Sequence, residues 1–261
     1  MAAQFKLYNE SGGTLIDSNL ISYGLVKSGF MIANGYYEVG YNEGDGYWPT
    51  YWDDVPIHAV RVTGIQPIVF CVGRSILTYV DRVGNDWVFN YIGADTSVRF
   101  YAYDLMREPN NDAVRFRLWK EDGSISFNSK QWPLNIIESV QVPYPPEYPG
   151  SNYETWTRSY NNNRIYAANL PFSRGARVWA GAPERIGMLV EGYIYEGLVV
   201  EGGWGGTGAA YAGFYIDPNI YPAIYVVGTG GKVNSYNRVY TAHMPKLAVV
   251  DVTELPFPYQ F

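Results

Sequence analysis

Apolar and polar residues alternate with a period of two along much of the chain, which is the pattern of β-strands that bury one face. Clusters of Gly, Asn and Asp interrupt this alternation and mark turns, as at Gly84-Asn85. Short strands divided by such turns predict an all-β fold, an antiparallel β-sandwich or jelly roll. The segments predicted as strands are 57–62, 67–73, 86–92, 98–105, 221–228 and 246–252.

One short pattern occurs twice. Residues 5–18 read FKLYNESGGTLIDS, and residues 116–129, which begin 111 positions later, read FRLWKEDGSISFNS. Five of the fourteen positions are identical, and each copy alternates up to a turn that ends in Gly12 or Gly123. The pattern predicts two β-hairpins, each with a core face and an aromatic, solvated face, and each turn closed by a left-handed glycine. Convergence on a good hairpin and internal duplication explain the similarity equally well.

A proline-rich segment divides the chain. VPYPPEYPG, which begins at Val142, holds four prolines and cannot form a central strand. We therefore predict a β-sandwich domain over 1–142, an extended connector over 143–150 and a second, irregular Gly/Tyr-rich β lobe over 151–261. Alternatively, the second lobe is an insertion whose final strand, 246–252, returns to the first sheet.

Composition supports the β assignment and limits the partners. Aromatic residues make up 17% of the chain, and 28 Gly and 16 Pro leave few windows for a long helix. The net charge of −6, with basic residues scattered singly, argues against a nucleic-acid partner. Cys71 is the only cysteine, which excludes an intrachain disulfide, and we expect it to be a small buried hydrophobe.

The sequence shows neither a signal-peptide pattern nor an apolar run long enough to span a bilayer. The longest candidate, residues 185–203, is interrupted by Glu191, Glu196 and Glu201, which are costly in lipid. We therefore expect synthesis in the cytoplasm and no membrane insertion.

The sequence lacks the structural context that cofactor and metal motifs require. Gly203, Gly205 and Gly208 satisfy G-x-G-x-x-G, but Tyr211, Gly213 and Tyr215 follow where a dinucleotide site needs a helix, and Pro218 ends the segment. We therefore predict a glycine-rich loop here and no nucleotide site. Neither His58 nor His243 has a second His or a Cys at metal-ligand spacing. We expect no cofactor and no metal, and we expect His58 to lie on the same strand face as Val60 and Val62.

Paired carboxylates are the strongest catalytic candidate. Asp53 and Asp54 follow the aromatic stretch YNEGDGYWPTYW, which is predicted to be a loop, and glycoside hydrolysis uses two carboxylates at a defined separation. Because adjacent residues point apart, these two residues cannot form that pair alone. The expectation is a protein without catalytic activity.

Three stretches are rich in Tyr and Trp, namely 36–52, 144–160 and 204–225. These side chains offer rigid contact area with a polar tip, which suits protein interfaces and the apolar faces of sugars. For any single aromatic residue, packing inside a sandwich is the favoured explanation. The candidate binding residues are Tyr47, Trp48, Tyr51, Trp52, Trp156, Trp204 and Tyr211.

The first hairpin, followed by Ile16-Asp17-Ser18, resembles the start of small β-rich virion proteins encoded among the tail-tip and tail-fibre genes of long-tailed bacteriophages. The segments PIVFCVG and LAVVDVT, which begin at Pro67 and Leu247, are similar to that group as well. The resemblance covers about thirty N-terminal residues and scattered strands, and the region 150–240 departs from it.

The resemblance implies a structural component of a tail tip or tail fibre that attaches to neighbouring tail proteins and contacts host-surface carbohydrate. It also implies a homo-oligomer of trimeric or hexameric symmetry, made in the host cytoplasm and located in the virion. Two alternatives remain open at this point: a carbohydrate-active hydrolase or depolymerase on the same particle, and a free lectin-like module.

Overall fold

A computed structural model of the chain describes residues 6–8, 14–17, 22–42, 50–108, 116–141, 163–169, 178–179, 200–202, 209–217, 219–227, 236–239 and 246–261. Every regular element within these ranges is a β-strand. The strands are β1 Lys6–Tyr8, β2 Thr14–Asp17, β3 Tyr23–Phe30, β4 Ile32–Asn42, β5 Thr50–Thr63, β6 Ile68–Arg74, β7 Ile76–Val83, β8 Asp86–Ile92, β9 Arg99–Leu105, β10 Arg117–Trp119, β11 Ile125–Asn128, β12 Ile136–Gln141, β13 Tyr166–Asn169, β14 Val178–Trp179, β15 Val200–Gly202, β16 Ala209–Asp217, β17 Asn219–Val227, β18 Tyr236–Val239, β19 Lys246–Asp251 and β20 Tyr259–Gln260.

The described strands pair antiparallel in two main sheets. The large sheet has the order β12-β19-β13-β6-β9-β3-β20, and the hairpin β16–β17 joins it through the end of β6. The small sheet has the order β4-β5-β8-β7, and β1–β2, β10–β11 and β15–β18 form separate two-stranded ribbons. The predicted all-β antiparallel fold is confirmed.

The main core lies between the two sheets. It contains Val69 and Phe100 of the large sheet and Val60 and Phe89 of the small sheet, all buried. Because side chains alternate along a strand, the next residues of the large sheet, such as Tyr101, point away from this core. Two sheets packed face to face over one core form the predicted sandwich.

A second core covers the other face of the large sheet. Phe70, Tyr101 and Tyr103 lie in it, and the C-terminal residues Phe257 and Tyr259 pack against it. The central strands β6 and β9 are therefore buried on both faces, so their sequences are nearly continuous apolar runs.

The chain just before β12 returns to β3. The backbone N–H of Leu25 donates to the Trp132 carbonyl at 2.7 Å, and that of Leu134 donates to the Tyr23 carbonyl at 2.8 Å. Leu134 also packs into the second core. These bonds connect the chain before β12, the first strand in the order of the large sheet, to β3, which is next to the last strand.

The structure forms both predicted hairpins, β1–β2 and β10–β11. The turn of the second one is as predicted: Gly123 has φ +80° and donates its N–H to the Lys120 carbonyl at 3.0 Å. The turn of the first one, with Gly12, lies outside the described residues.

Strands from both sides of the predicted connector share one sheet. β19 pairs with β12 on one side and with β13 on the other, and β13 pairs with β6. The connector 143–150 itself lies outside the described residues. The predicted strand at 246–252 corresponds to β19.

Two predicted loops contain strands. Residues 50–52 of the aromatic stretch belong to β5, and the glycine-rich segment that was predicted to be a loop continues into β16 from Ala209. Both predictions were wrong over these residues. Tyr and Trp favour strands, and pairing with β4 or β17 provides backbone hydrogen-bond partners that a loop would have to find elsewhere.

Candidate functional site

A two-stranded ribbon extends from one end of the small sheet. β5 pairs with β8 through residues 58–63, whereas its pairing with β4 continues outward to Thr50. Seven residue pairs, from Tyr36 opposite Pro56 to Asn42 opposite Thr50, form this extension. At the rise of a strand it is about 20 Å long. We refer to residues 36–42 and 50–56 as the arm.

A β-bulge joins the arm to the sheet. The register shifts between Ala33 and Tyr36, and Gly35 within the bulge has φ +84°. Only glycine adopts this left-handed conformation without a steric penalty, and a bulge bends the strand that carries it. The bulge therefore sets the direction in which the arm leaves the sheet.

A buried amide holds the base of the arm. The Asn90 side chain is fully buried and accepts a hydrogen bond of 2.8 Å from the Asn34 side chain in the bulge. Its own NH₂ group donates to the Val88 carbonyl at 3.2 Å, and the Thr78 hydroxyl donates to its backbone carbonyl at 2.7 Å. The bulge in β4 is thus tied to both β7 and β8.

The base of the arm exposes an aromatic side chain. Tyr36 is 68% exposed, the largest fraction among the exposed large apolar residues of the described chain, and its cross-strand neighbour Pro56 is exposed as well. Sequence reasoning missed Tyr36, because it selected candidates only from the second half of the stretch 36–52. The pairing of Tyr36 with Pro56 identifies the position, and this pairing follows from the β4–β5 register, which the sequence alone does not provide.

The predicted binding residues fall in different places. Tyr51 and Trp52 lie in the arm, opposite Tyr41 and Gly40. Tyr211 lies in β16 opposite Tyr225. The remaining predicted residues, Tyr47, Trp48, Trp156 and Trp204, lie outside the described residues. The structure therefore brings Tyr51 and Trp52 together with Tyr36 on one ribbon.

Two of the catalytic candidates, Asp53 and Asp54, lie in a described strand. Asp53 and Asp54 occupy consecutive positions of β5, which alternate between the two faces of a strand. Asp54 is exposed and lies opposite Glu38. His243 and the glycines of the G-x-G-x-x-G motif, Gly203, Gly205 and Gly208, lie outside the described residues.

His58 lies on the core side of β5, opposite Tyr91 of β8, and shares the face of Val60 and Val62 as predicted. Its Nδ1 atom is buried and has no hydrogen-bond partner in the described part of the chain. The Ser97 hydroxyl and amide lower the pKa of the nearby Asp95 carboxyl, with a smaller effect of His58. The Asp95 carboxylate is therefore already engaged in a local turn with Ser97.

Within the described ranges, no group of three or more His, Cys, Asp or Glu residues could hold a metal ion. The same ranges contain no helix of the length and hydrophobicity needed to cross a membrane.

Comparisons of the chain with protein-family models, with curated proteins and with solved structures found no match.

Proposed function

We propose that the chain is a structural, non-catalytic component of a bacteriophage tail tip or tail fibre. Its arm attaches to a neighbouring tail protein, and the protein contacts host-surface carbohydrate. The observation that carries this proposal is the arm itself, a ribbon of β4 and β5 that continues beyond the residues paired with β8 and exposes Tyr36 beside Pro56.

The chemistry of the arm suits a protein partner. Tyr side chains contribute broad contact area at low entropic cost, and their hydroxyls satisfy hydrogen bonds at a partly wet interface. Exposed aromatic anchors of this kind carry a large share of the binding energy at protein interfaces.

The base of the arm favours binding with little reorganisation. Asn90 is buried and hydrogen-bonded to Asn34, so the bulge is held before any partner arrives. A contact surface that is already ordered loses less conformational entropy on association. We propose that this pre-ordering lets several copies assemble with trimeric or hexameric symmetry.

The position of the protein in phage particles tests the tail assignment. An antibody against the purified protein should label the tail tip or fibre of phage particles in negative-stain micrographs. Label on the capsid alone, or particles that carry none of the protein, would exclude the tail role.

A pair of matched variants tests the arm. Tyr36→Ala should reduce incorporation of the protein into particles by about tenfold or more, because it removes an exposed aromatic anchor. Trp132→Ala removes an exposed aromatic residue outside the arm and should leave incorporation unchanged. Equal effects of both variants would exclude the arm as the attachment site, and oligosaccharide released from host polysaccharide would exclude the non-catalytic role.

A further inference from the structure

Asn34 and Gly35 form the only Asn-Gly pair in the sequence, and the pair lies in the bulge at the base of the arm. The register shifts between Ala33 and Tyr36, so both residues lie outside the regular pairing of β4 with β5. Both are exposed, and in the described part of the chain no atom comes within 4 Å of the position that a Cβ on Gly35 would occupy. The pair is therefore open to water.

An Asn-Gly pair can convert chemically without a catalyst. The backbone nitrogen of the glycine attacks Cγ of the asparagine, a new C–N bond forms, and the Cγ–Nδ2 bond breaks with release of ammonia, which takes up the proton of the attacking nitrogen. Water then opens the resulting succinimide ring at either carbonyl and gives aspartate or isoaspartate. Glycine favours ring closure because it has no Cβ to obstruct its nitrogen. The ring closure is intramolecular, so water is the only other reactant.

One hydrogen bond holds the Asn34 side chain. Its Nδ2 atom donates to the Oδ1 atom of the buried Asn90 at 2.8 Å, which keeps the amide turned toward β8. Because Nδ2 is the leaving group, we expect this contact to slow the reaction without preventing it. An ordinary hydrogen bond corresponds to about fivefold in rate.

The product loses this contact between the bulge and the sheet. A carboxylate at position 34 has no proton to donate, so it would face the Asn90 Oδ1 atom as a second acceptor. The Asn90 amide is not free to turn, since its Nδ2 atom donates to the Val88 carbonyl at 3.2 Å and lies 3.4 Å from the Asp81 carboxylate. Isoaspartate also lengthens the backbone of β4 by a methylene group.

We propose that Asn34 is a site of spontaneous deamidation, and that its conversion releases the base of the arm from β8. The arm is then held in newly made protein and is looser in aged protein. Both statements concern the isolated protein and hold whether or not it belongs to a phage tail.

Peptide mapping by mass spectrometry tests the modification, with the full chain incubated at pH 8 and about 37 °C. The peptide that contains Asn34 should gain about 1 Da and separate into an aspartate and an isoaspartate form. Asn85 is exposed in a turn but precedes Asp86, whose side chain hinders ring closure, so it should stay unchanged over the same period. In guanidinium chloride the reaction at Asn34 should be about fivefold faster, because the contact with Asn90 is lost.

Two variants separate the chemistry from its structural effect. Asn34→Gln keeps an amide but closes a larger ring slowly, so it should show no mass gain. Asn34→Asp carries the charge of the product, and its backbone amides in the arm should exchange hydrogen about fivefold faster than those of the wild type. Exchange in β6 and β9 should be unchanged, which shows that the sandwich is intact. The deamidated wild type, separated by ion-exchange chromatography, should behave as Asn34→Asp does.

Two results would overturn the proposal. If Asn34 stays unmodified in the folded protein after about tenfold the period in which the unfolded chain converts, the bulge protects the site by more than one hydrogen bond, and Asn34 is not a deamidation site. Equal hydrogen exchange of the arm in the wild type and in Asn34→Asp would show that the contact with Asn90 does not hold the arm.

Discussion

The backbone N–H of Leu134 donates to the carbonyl oxygen of Tyr23 at 2.8 Å, and these residues lie 111 positions apart, the spacing that separates the two hairpins. The adjacent pairs, Gly24 with Pro133 and Leu25 with Trp132, continue the same antiparallel register. The segments that follow the two hairpins therefore pair with each other in antiparallel orientation.

The close approach of these segments makes Gly24 a sensitive position. A Cβ atom at Gly24 would lie 2.7 Å from the Gln131 Cβ and 3.0 Å from the Met106 Cγ. Gly24→Ala should lower the free energy of unfolding by about 2 kcal/mol, because overpacking forces both side chains to move. Urea unfolding measures this change.

Gly29→Ala in the same strand is the matched control. The nearest atom to its added Cβ is the Phe100 Cε1 at 3.5 Å, an ordinary contact. We expect a small stabilisation, of about 0.5 kcal/mol, because Ala loses less backbone entropy on folding than Gly does. Equal destabilisation by both variants would show that the contact with Gln131 does not determine the effect.

Local patterns predicted the strands that are bounded by clear turns. The predicted segment 86–92 coincides with β8, and 98–105 matches β9 to within one residue. In contrast, β3 was not predicted. It contains Gly24 and Gly29 and is buried on both faces, so it lacks the alternation that identifies a half-buried strand.

The candidate site was predicted only by composition. Tyr51 and Trp52 were chosen because their stretch is rich in aromatic residues, but the pairing of β4 with β5 determines which residues are neighbours. Register depends on contacts along both strands and on the bulge at Gly35, and no short window contains them all.

A buried carboxylate holds the loop that follows β5. Asp104 is fully buried, and its two oxygens accept hydrogen bonds of 2.8 Å from the backbone amides of Ile65 and Gln66. Asp104→Asn should lower the free energy of unfolding by about 2 kcal/mol, because the NH₂ group of the new Asn would face a backbone N–H donor and leave it without an acceptor. Urea unfolding and hydrogen exchange at Ile65 and Gln66 test this expectation.

Asp86→Asn is the control for Asp104→Asn. Asp86 accepts a hydrogen bond from the Thr63 hydroxyl on an exposed surface, and a hydroxyl can reverse its role toward an amide. Asp86→Asn should change the free energy of unfolding by less than about 0.5 kcal/mol. Unchanged exchange at both loop amides in Asp104→Asn would contradict the proposed anchoring.

Cys71 should be chemically inert in the folded protein. It is buried, and this burial raises the pKa of its thiol to about 11, although hydrogen bonding with Ser75 and Tyr91 acts in the opposite direction. The thiolate is the reactive form, so at pH 8 the group is both protonated and shielded. Ellman's reagent should label no thiol in the native protein and one thiol in guanidinium chloride. Rapid labelling of the native protein would contradict this packing.

Acid should destabilise the C-terminal part of the sheet through Asp251. Burial acts to raise the pKa of Asp251, but hydrogen bonds from the Thr253 hydroxyl and amide, together with Arg164, lower it overall. A carboxyl whose pKa is lower in the folded state contributes stability above its ordinary pKa, near 4. That contribution is lost as the pH falls through the lower folded value.

Urea unfolding at pH 6, 4 and 3 measures this effect. Stability of the wild type should fall between pH 4 and pH 3, and Asp251→Asn should reduce the slope, because one linked proton is removed. The slope should not vanish, since the pKa of Asp122 is also lowered, to about 2, by hydrogen bonds from Ser124. Glu254→Gln, which removes one neighbouring exposed charge, is the matched control. If Asp251→Asn and Glu254→Gln alter the slope equally, loss of net charge explains the effect and the contacts of Asp251 with Thr253 and Arg164 do not.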